Sequence, residues 1–543
     1  MRTNVFTTIL VFFLLLSLGA AAQTQQPPGV PSQAQPWQVQ TLNTRSIEGG
    51  QTATVALAVR SPASVPVKHV LLHVSPYSIA ALKVANGNTA MVWNVPWVTA
   101  SAQLNERGIA VAFADIPSDA NKRGLPSRPP YEVAADITAI LRQLKQQFPG
   151  VLIHLAGFGY GAGALIDVAT GVQGFERMVI VSGDFSNYRS NDWSHLKQPV
   201  LLIHAPSTQC DHAPFLEAEF VARKNHFTLV QAGYKQAEPK PNCAASSHHV
   251  LSKLEVAMST IVAQWFDGVE PPATIGHHTP QRAWREQLVN YTAPATFGSN
   301  LLEMTLLFPP GAGPHPVLVF NHGDIEIDTA WMRYKRRYVE MVVAREFLQL
   351  GWAVAFPSRP GVGLSEGTYR LSFQVGDADA TYKARVHVES VLPAFEYLKA
   401  HPDINPQRII VAGQSAGGYV TMYLASMNLP GVVGAVDFSG GRTDKRGSDA
   451  AGYLNNMMVS GFAELGKSTR VPTLWVFAEN DSRYTANTIR ASHQAFVEAG
   501  GKATLALSPP IEGDGHFVYQ KPELWRAALK EYLAELDGAG RGQ

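Results

Sequence analysis

Four landmarks occur twice in this chain, in the same order. "HVLLHVSPY" (His69–Tyr77) is answered by "PVLVFNHGD" (Pro316–Asp324), and "RGIAVAFADIPSDANKRG" (Arg107–Gly124) by "LGWAVAFPSRPGVGLSEG" (Leu350–Gly367). "LAGFGYGAG" (Leu155–Gly163) is answered by "VAGQSAGGY" (Val411–Tyr419), and "PVLLIHAPSTQC" (Pro199–Cys210) by "PTLWVFAENDSR" (Pro472–Arg483). Each landmark holds a short apolar run without alternation, the pattern of a strand buried on both faces of a parallel sheet. Helical patterns lie between the runs, as parallel strands require crossover connections. A chain of 543 residues is also too long for one compact core. The repeat therefore predicts an α/β protein with two tandem copies of one fold, each a mostly parallel sheet flanked by helices.

The boundaries follow from shifts in composition. Arg2, the apolar run Val5–Leu18 and the small residues Gly19–Ala22 have the layout of a secretory signal peptide, residues 1–22, cleaved after Ala22. The mature chain is then expected to be exported, to the periplasm or outside the cell, and not held by a membrane. Residues 23–38 are rich in Gln and Pro and read as a flexible leader. The first copy spans 39–268, a linker 269–283, and the second copy 284–537. A formal net charge of +1, with no basic stripe and no Gly-x4-Gly-Lys-Ser/Thr loop, gives no reason to expect nucleic acid or an anionic membrane as a partner.

The chemistry falls in the second copy. "RIIVAGQSAGGYVTMYLAS" is an apolar strand, then Gly413-Gln414-Ser415-Ala416-Gly417, then a helix. A strand-to-helix turn this tight tolerates only small flanking residues and lifts the Ser415 hydroxyl out of the sheet. Serine is a poor nucleophile at neutral pH and needs a base, which in turn needs an orienting carboxylate. With the chain order Ser, acid, His, the acid is Asp481 after the buried strand "PTLWVFA", with Glu479 as the alternative. The base is His516, in the Gly-rich stretch "EGDGHF" before the last helix. The oxyanion donors are expected to be the amide of Ala416 and that of Asp324, beside Gly323. His322 and Asp324 lack further His or Cys at ligand spacing, so neither a metal nor a cofactor is expected.

The first copy lacks these groups. Gly159 stands where the serine should be, and Thr208 falls opposite Asp481, with Asp211 nearby as a possible displaced acid. Pro76 falls opposite Gly323 and has no N–H to donate. His249 lies near the position of the base, without a hydroxyl to activate.

On "VLVFNHGD", "GWAVAFPSRPGVGLSEG", "VAGQSAGG", "VPTLWVFAENDSRYT" and "GGKATLALSPPIEGDGHF", the second half resembles the dienelactone hydrolase-like branch of the α/β-hydrolase superfamily, over roughly Trp284 to Leu536. The resemblance implies a serine hydrolase of esters or, alternatively, of peptides or amides. Dienelactone hydrolases themselves use a cysteine nucleophile, where this chain has Ser415. The first half resembles a degenerate member of the same superfamily. It is also similar to exported hydrolase-like proteins in which one cysteine follows the acid strand and another precedes the base histidine. Cys210 and Cys243, the two cysteines of the chain, occupy those places, and an oxidising compartment makes them candidates for one disulfide.

Three functions follow. The first is an exported serine esterase acting on a small-molecule ester, with a catalytically inactive N-terminal domain. The second is a peptidase of the prolyl-oligopeptidase type, although no blade-length repeat of about 40 residues is present. The third is a binding protein using both halves as docking surfaces. Two segments bear on substrate. Residues 440–470 are long enough for a lid, in which Tyr453, Met457, Met458 and Phe462 line a pocket or pack in a core. The cationic "MRYKRRYVE" (Met332–Glu340) reads as a solvated helix face or as a steering device for an acidic ester.

Overall fold

In the computed structural model the described residues are 35–46, 51–74, 82–85, 88–91, 95–120, 129–205, 215–233, 251, 253–276, 284–325, 335–369, 382–441 and 448–540. The signal segment, Pro76, Thr208, Cys210, Asp211, Cys243 and His249 lie outside them.

Among the described residues two large sheets are present, one in each half. The first is built from β1 (Gln38–Ser46), β2 (Thr52–Arg60), β3 (His69–His73), β6 (Ile109–Ala114), β7 (Leu152–Phe158), β8 (Met178–Val181), β9 (Val200–His204), β10 (Thr228–Gly233) and β11 (Thr274–Gly276). A small hairpin, β4 (Leu82–Ala85) and β5 (Asn88–Met91), stands apart. The second sheet holds β12 (Arg285–Pro294), β13 (Ser299–Phe308), β14 (His315–Asn321), β15 (Ala353–Pro357), β16 (Ile404–Gln414), β17 (Val432–Phe438), β18 (Thr473–Ala478) and β19 (Ala503–Ser508).

The strand order is β1-β2-β6-β3-β7-β8-β9-β10-β11 in the first sheet and β12-β13-β15-β14-β16-β17-β18-β19 in the second. With the hairpin set aside, the first eight strands of each domain occur in the same spatial order. The second strand of each is antiparallel to both neighbours, and the pairs beyond it are parallel. The duplication read from the four landmarks is thus a duplication of topology.

Each sheet is covered on both faces, which is why its inner strands read as continuous apolar runs. In the second domain, Val388 and Phe395 of helix Tyr382–Ala400, Val420 of Ala416–Ser426, Phe462 of Ser448–Ser468 and Ile489 of Ala486–Glu498 share one core. Phe347 of Met341–Gln349 and Leu529 and Tyr532 of Arg526–Gly540 share the other. The first domain divides its helices the same way, with Pro130–Gln147, Ala162–Ala169 and Phe215–Asn225 on one face and Ser101–Glu106 and Glu255–Phe266 on the other. Among the described residues no helix is long and apolar enough to cross a membrane.

Two sequence boundaries shift. The linker expected at 269–283 is not wholly a linker, because Thr274–Gly276 pairs in parallel with Gln231–Gly233 as an edge strand of the first sheet. The leader expected to run to residue 38 gives way to β1 at Gln38, which pairs with Val59. Thr274–Gly276 is too short, and Gln38–Ser46 too polar, to stand out as a strand, and a sheet edge needs only backbone groups to recruit them.

The domains meet through charge. Arg189, wholly buried, ion-pairs with Glu217 of its own domain at 2.9 Å and forks onto Glu303 of β13. Arg337 pairs with Glu217 at 2.5 Å and with Glu286 at 3.6 Å, and Arg336 bonds the Asn187 amide oxygen. This corrects the helix-face reading over the described part of the cationic cluster: Lys335–Glu340 precedes the helix that starts at Met341, and Arg336 and Arg337 bind the first domain. Periodicity within one segment cannot reveal that its charges face another domain.

Candidate active site

The turn between β16 and helix Ala416–Ser426 holds Ser415 at φ 55° and ψ −123°, a conformation that side chains rarely adopt. Neighbouring glycines make it possible. A Cβ on Gly417 would lie 2.1 Å from the Asn321 carbonyl oxygen, and one on Gly413 would lie 2.3 Å from the Gly417 carbonyl oxygen. Only a chain lacking those methyls closes the turn.

The structure brings the three predicted side chains together across 101 residues of sequence. His516 Nε2 is 2.9 Å from Ser415 Oγ, and His516 Nδ1 is 3.1 Å from each carboxylate oxygen of Asp481. A carboxylate only accepts, so Nδ1 carries the proton and Nε2 is free to accept from the serine hydroxyl. His516 and Asp481 are buried, while Ser415 is half-buried. Asp481 Oδ1 also accepts the amide N–H groups of Arg483, at 2.7 Å, and Tyr484, at 3.2 Å. Glu479, the alternative acid, instead points outward and pairs with Arg490.

Sequence reasoning missed what holds the base against the acid. Asp514 accepts the His516 amide N–H at 2.9 Å, the Ser482 amide N–H at 3.0 Å and the Ser482 hydroxyl at 2.6 Å. It thereby ties the turn that carries the base to the turn that carries the acid. Asn480 adds a second tie, accepting from Ile511 N–H and donating to the carbonyls of Ile511 and Gly513, each at 2.9 Å. Between the two turns Gly515 is packed so closely that a Cβ would lie 2.6 Å from the Asp481 amide nitrogen. The signal was present in "EGDGHF", where the glycines and acids flank His516, but their partners 32 residues away were not legible.

The loop expected to supply an oxyanion donor follows β14. A Cβ on Gly323 would fall 3.3 Å from Ser415 Cβ, so this backbone passes directly beside the serine, and Asp324 is the next residue. Ala416 begins the helix immediately after Ser415. The loop is anchored by Arg359, a residue of the Leu350–Gly367 landmark with no role legible in the sequence. Its guanidinium donates to the carbonyls of His322, at 3.1 Å, and Gly323, and pairs with Asp324 at 3.3 Å. Burial and the adjacent Arg359 charge push the His322 imidazole well below its ordinary range, so it is neutral. Tyr369 adds a further hold, its hydroxyl accepting the Ile325 N–H at 2.7 Å.

The expected lid is a long helix, Ser448–Ser468, whose inner face belongs to the core. Met458 and Phe462 are fully buried, and the Phe462 ring meets Tyr419 edge-on and Trp475 at 4.5 Å between centroids. Core packing is therefore the reading that holds for these two. The Tyr453 side chain lies outside the described residues.

The first domain preserves the backbone of the same site. Gly159 sits at φ 61°, and its carbonyl accepts the Asp184 N–H at 3.0 Å; the Ser415 carbonyl accepts the Gly441 N–H at 3.3 Å. Ser182 and Ser439, at the ends of equivalent strands, have φ of 46° and 48°, and each donates its N–H to the next strand, to Ile203 and Val476. At Gly159 there is no side chain to act.

No protein-family model and no curated protein matches the chain. Solved structures do. The esterase Pf2001 of Pyrococcus furiosus aligns with a TM-score of 0.35 and 16% identity over 49% of this chain and 97% of its own. Est1E from Butyrivibrio proteoclasticus, with ferulic acid bound, aligns with a TM-score of 0.33 and 16% identity over 46% of this chain and 99% of its own. Dipeptidyl peptidase 4 of Porphyromonas gingivalis aligns with a TM-score of 0.34 and 15% identity over 48% of this chain and 36% of its own. By strand order, elbow backbone and helix layers, both halves of the chain have the α/β-hydrolase fold that the sequence resemblance implies.

Proposed function

We propose that this chain is a serine hydrolase of carboxylic esters and that its second domain does the chemistry. The contact chain Ser415–His516–Asp481 carries the reading. His516 Nε2 takes the hydroxyl proton as Ser415 Oγ attacks the ester carbonyl. The resulting oxyanion is held by the amides of Ala416 and Asp324, with the positive end of helix Ala416–Ser426 behind it. The imidazolium is stabilised by Asp481 and returns its proton to the leaving alkoxide, which departs as the alcohol. Water, deprotonated by the same imidazole, then attacks the acyl carbonyl, and the imidazolium returns that proton to Ser415 Oγ as its bond to the acyl carbon breaks and the acid leaves. The first domain breaks no bonds on this reading, since Gly159 offers no hydroxyl. Export through residues 1–22 and pairing of Cys210 with Cys243 belong to the same proposal.

The test is a serine-reactive fluorophosphonate on the purified mature protein, followed by peptide mapping. Labelling at Ser415, lost in Ser415→Ala, is the expected result; a folded protein that takes no label overturns the hydrolase reading. Short-chain p-nitrophenyl esters run beside peptide p-nitroanilides separate esterase from peptidase. Turnover of the anilides alone would replace the ester by an amide in the scheme above. The intact mass, with and without reductant, checks the start at Gln23 and the disulfide.

A further inference from the structure

The geometry points to a positioning role for the inactive domain: Arg189 holds the oxyanion loop of the second domain in register, acting through Glu303 and Arg359. This inference rests on the hydrolase reading above. Arg189 lies on the loop that follows β8, at the rim of the elbow that has lost its serine, where the Asp184 N–H is bonded to the Gly159 carbonyl. Its guanidinium is wholly buried and forks onto both carboxylate oxygens of Glu303, with Glu217 on its Nε at 2.9 Å.

Glu303 then grips both ends of one turn of the second domain. Its carboxylate accepts the Leu364 N–H at 3.1 Å, and its main chain donates to Ser365 Oγ at 3.0 Å and accepts the Ser358 N–H at 2.9 Å. Gly363 is required at the closest approach, where a Cβ would meet a Glu303 carboxylate oxygen at 2.5 Å. The turn between Ser358 and Ser365 carries Arg359, whose guanidinium is bonded to the carbonyls of His322 and Gly323. Gly323 in turn lies against Ser415.

A single run of contacts therefore joins the vacant elbow of one domain to the loop beside the nucleophile of the other. A buried, bidentate arginine–carboxylate pair is the device suited to this, because the fork fixes orientation as well as distance. A carboxylate left without its partner in that position must be rehydrated or protonated, and the turn it holds moves with it. Oxyanion donors act only if they stand at hydrogen-bond distance from where charge develops, so small displacements of Gly323 and Asp324 lower turnover more than binding.

The experiment compares full-length wild type, Arg189→Met and Arg189→Lys. Readouts are kcat and KM for a short p-nitrophenyl ester and hydrogen exchange of peptides covering 321–325 and 358–365. For Arg189→Met, kcat falls by about 10–100-fold, KM changes by no more than about twofold, and exchange rises in both peptides. Arg189→Lys keeps the charge without the fork and falls between. If Arg189→Met does not fold, Glu303→Gln, which keeps volume and an acceptor for the Leu364 N–H, takes its place with the same expected pattern. A folded variant with wild-type kcat and unchanged exchange in 321–325 overturns the proposal, as does a loss confined to thermal stability. Should wild type hydrolyse no ester and take no fluorophosphonate, the hydrolase reading fails, and the exchange measurement alone still decides whether Arg189 orders this loop.

Discussion

Gly159 and Ser415 share a positive φ, of 61° and 55°, at the same place in two copies of one fold. The conformation is costly for serine and nearly free for glycine. Strain at Ser415 is the cost of presenting a hydroxyl above the sheet, and the first domain keeps the turn with neither hydroxyl nor strain. The turn there is closed by the Asp184 N–H to Gly159 carbonyl bond and overlain by the Tyr188 ring, which lies where a Cβ on Gly163 would be.

This relationship makes the two elbows exchangeable in a defined direction. Ser415→Gly is expected to be more stable than Ser415→Ala by about 1 kcal/mol, strain relief of about 1–3 kcal/mol being partly offset by the flexibility of glycine in the unfolded chain. Gly159→Ser is expected to cost about 1–3 kcal/mol and to take no fluorophosphonate at residue 159. Denaturant titration of the four proteins, wild type included, checks the order, and an equal stability for Ser415→Gly and Ser415→Ala would count against strain at this turn.

The clamp between acid and base turns should govern turnover. Gly515→Ala forces a methyl to 2.6 Å from the Asp481 amide nitrogen, and Asp514→Ala removes three acceptor contacts on Ser482 and His516. Both are expected to lower kcat by about 10²-fold or more, consistent with the sensitivity of catalysis to misplacements of about 1 Å. Steady-state kinetics on variants shown to be folded by circular dichroism provides the check.

Acid should destabilise the first domain. Burial pushes the His73 imidazole down to about 3, and burial, with His69 and Arg177 nearby, pushes His154 down to about 2. Both are therefore neutral in the folded state, whereas in the unfolded chain they bind protons below about pH 6.5. The unfolded state then holds more protons, so stability is fully present above pH 6.5 and declines as pH falls towards 3. Each group contributes a slope of up to about 1.4 kcal/mol per pH unit. His73→Leu is expected to flatten this decline. Urea denaturation between pH 8 and pH 4 tests it, and an unchanged slope in the variant would remove His73 from the account.

Phe462 separates core from pocket. Phe462→Ala is expected to cost about 3–5 kcal/mol while leaving KM for short esters unchanged, since the ring packs against Tyr419 and Trp475. A change in acyl-chain preference at constant melting temperature would instead place Phe462 in the substrate site.

Much of this architecture was legible locally. Runs such as Val317–Phe320 and Leu474–Phe477 are apolar because strands between two helix layers have no solvent face, and that property is carried by each segment alone. The triad was legible because each member follows its own strand of the second sheet: Ser415 follows β16, Asp481 follows β18 and His516 follows β19. The edge strand Thr274–Gly276 was not legible, since it joins the sheet through backbone groups shared by every sequence. Nor were the roles of Arg336 and Arg337, which depend on Asn187 and Glu217, residues far away in the chain.

The amino-acid sequence by itself determined two copies of an α/β fold, the absence of a hydroxyl at Gly159, and the candidates Ser415, His516 and an acid at Asp481 or Glu479. Those properties reside in residue type and chain order. Tertiary structure alone decided the choice of Asp481 over Glu479, the clamp through Asp514, the hold of Arg359 on the loop beside Ser415, and the pairing of Arg189 with Glu303 across the domains. Those depend on distances between residues remote in sequence, and only packing sets such distances.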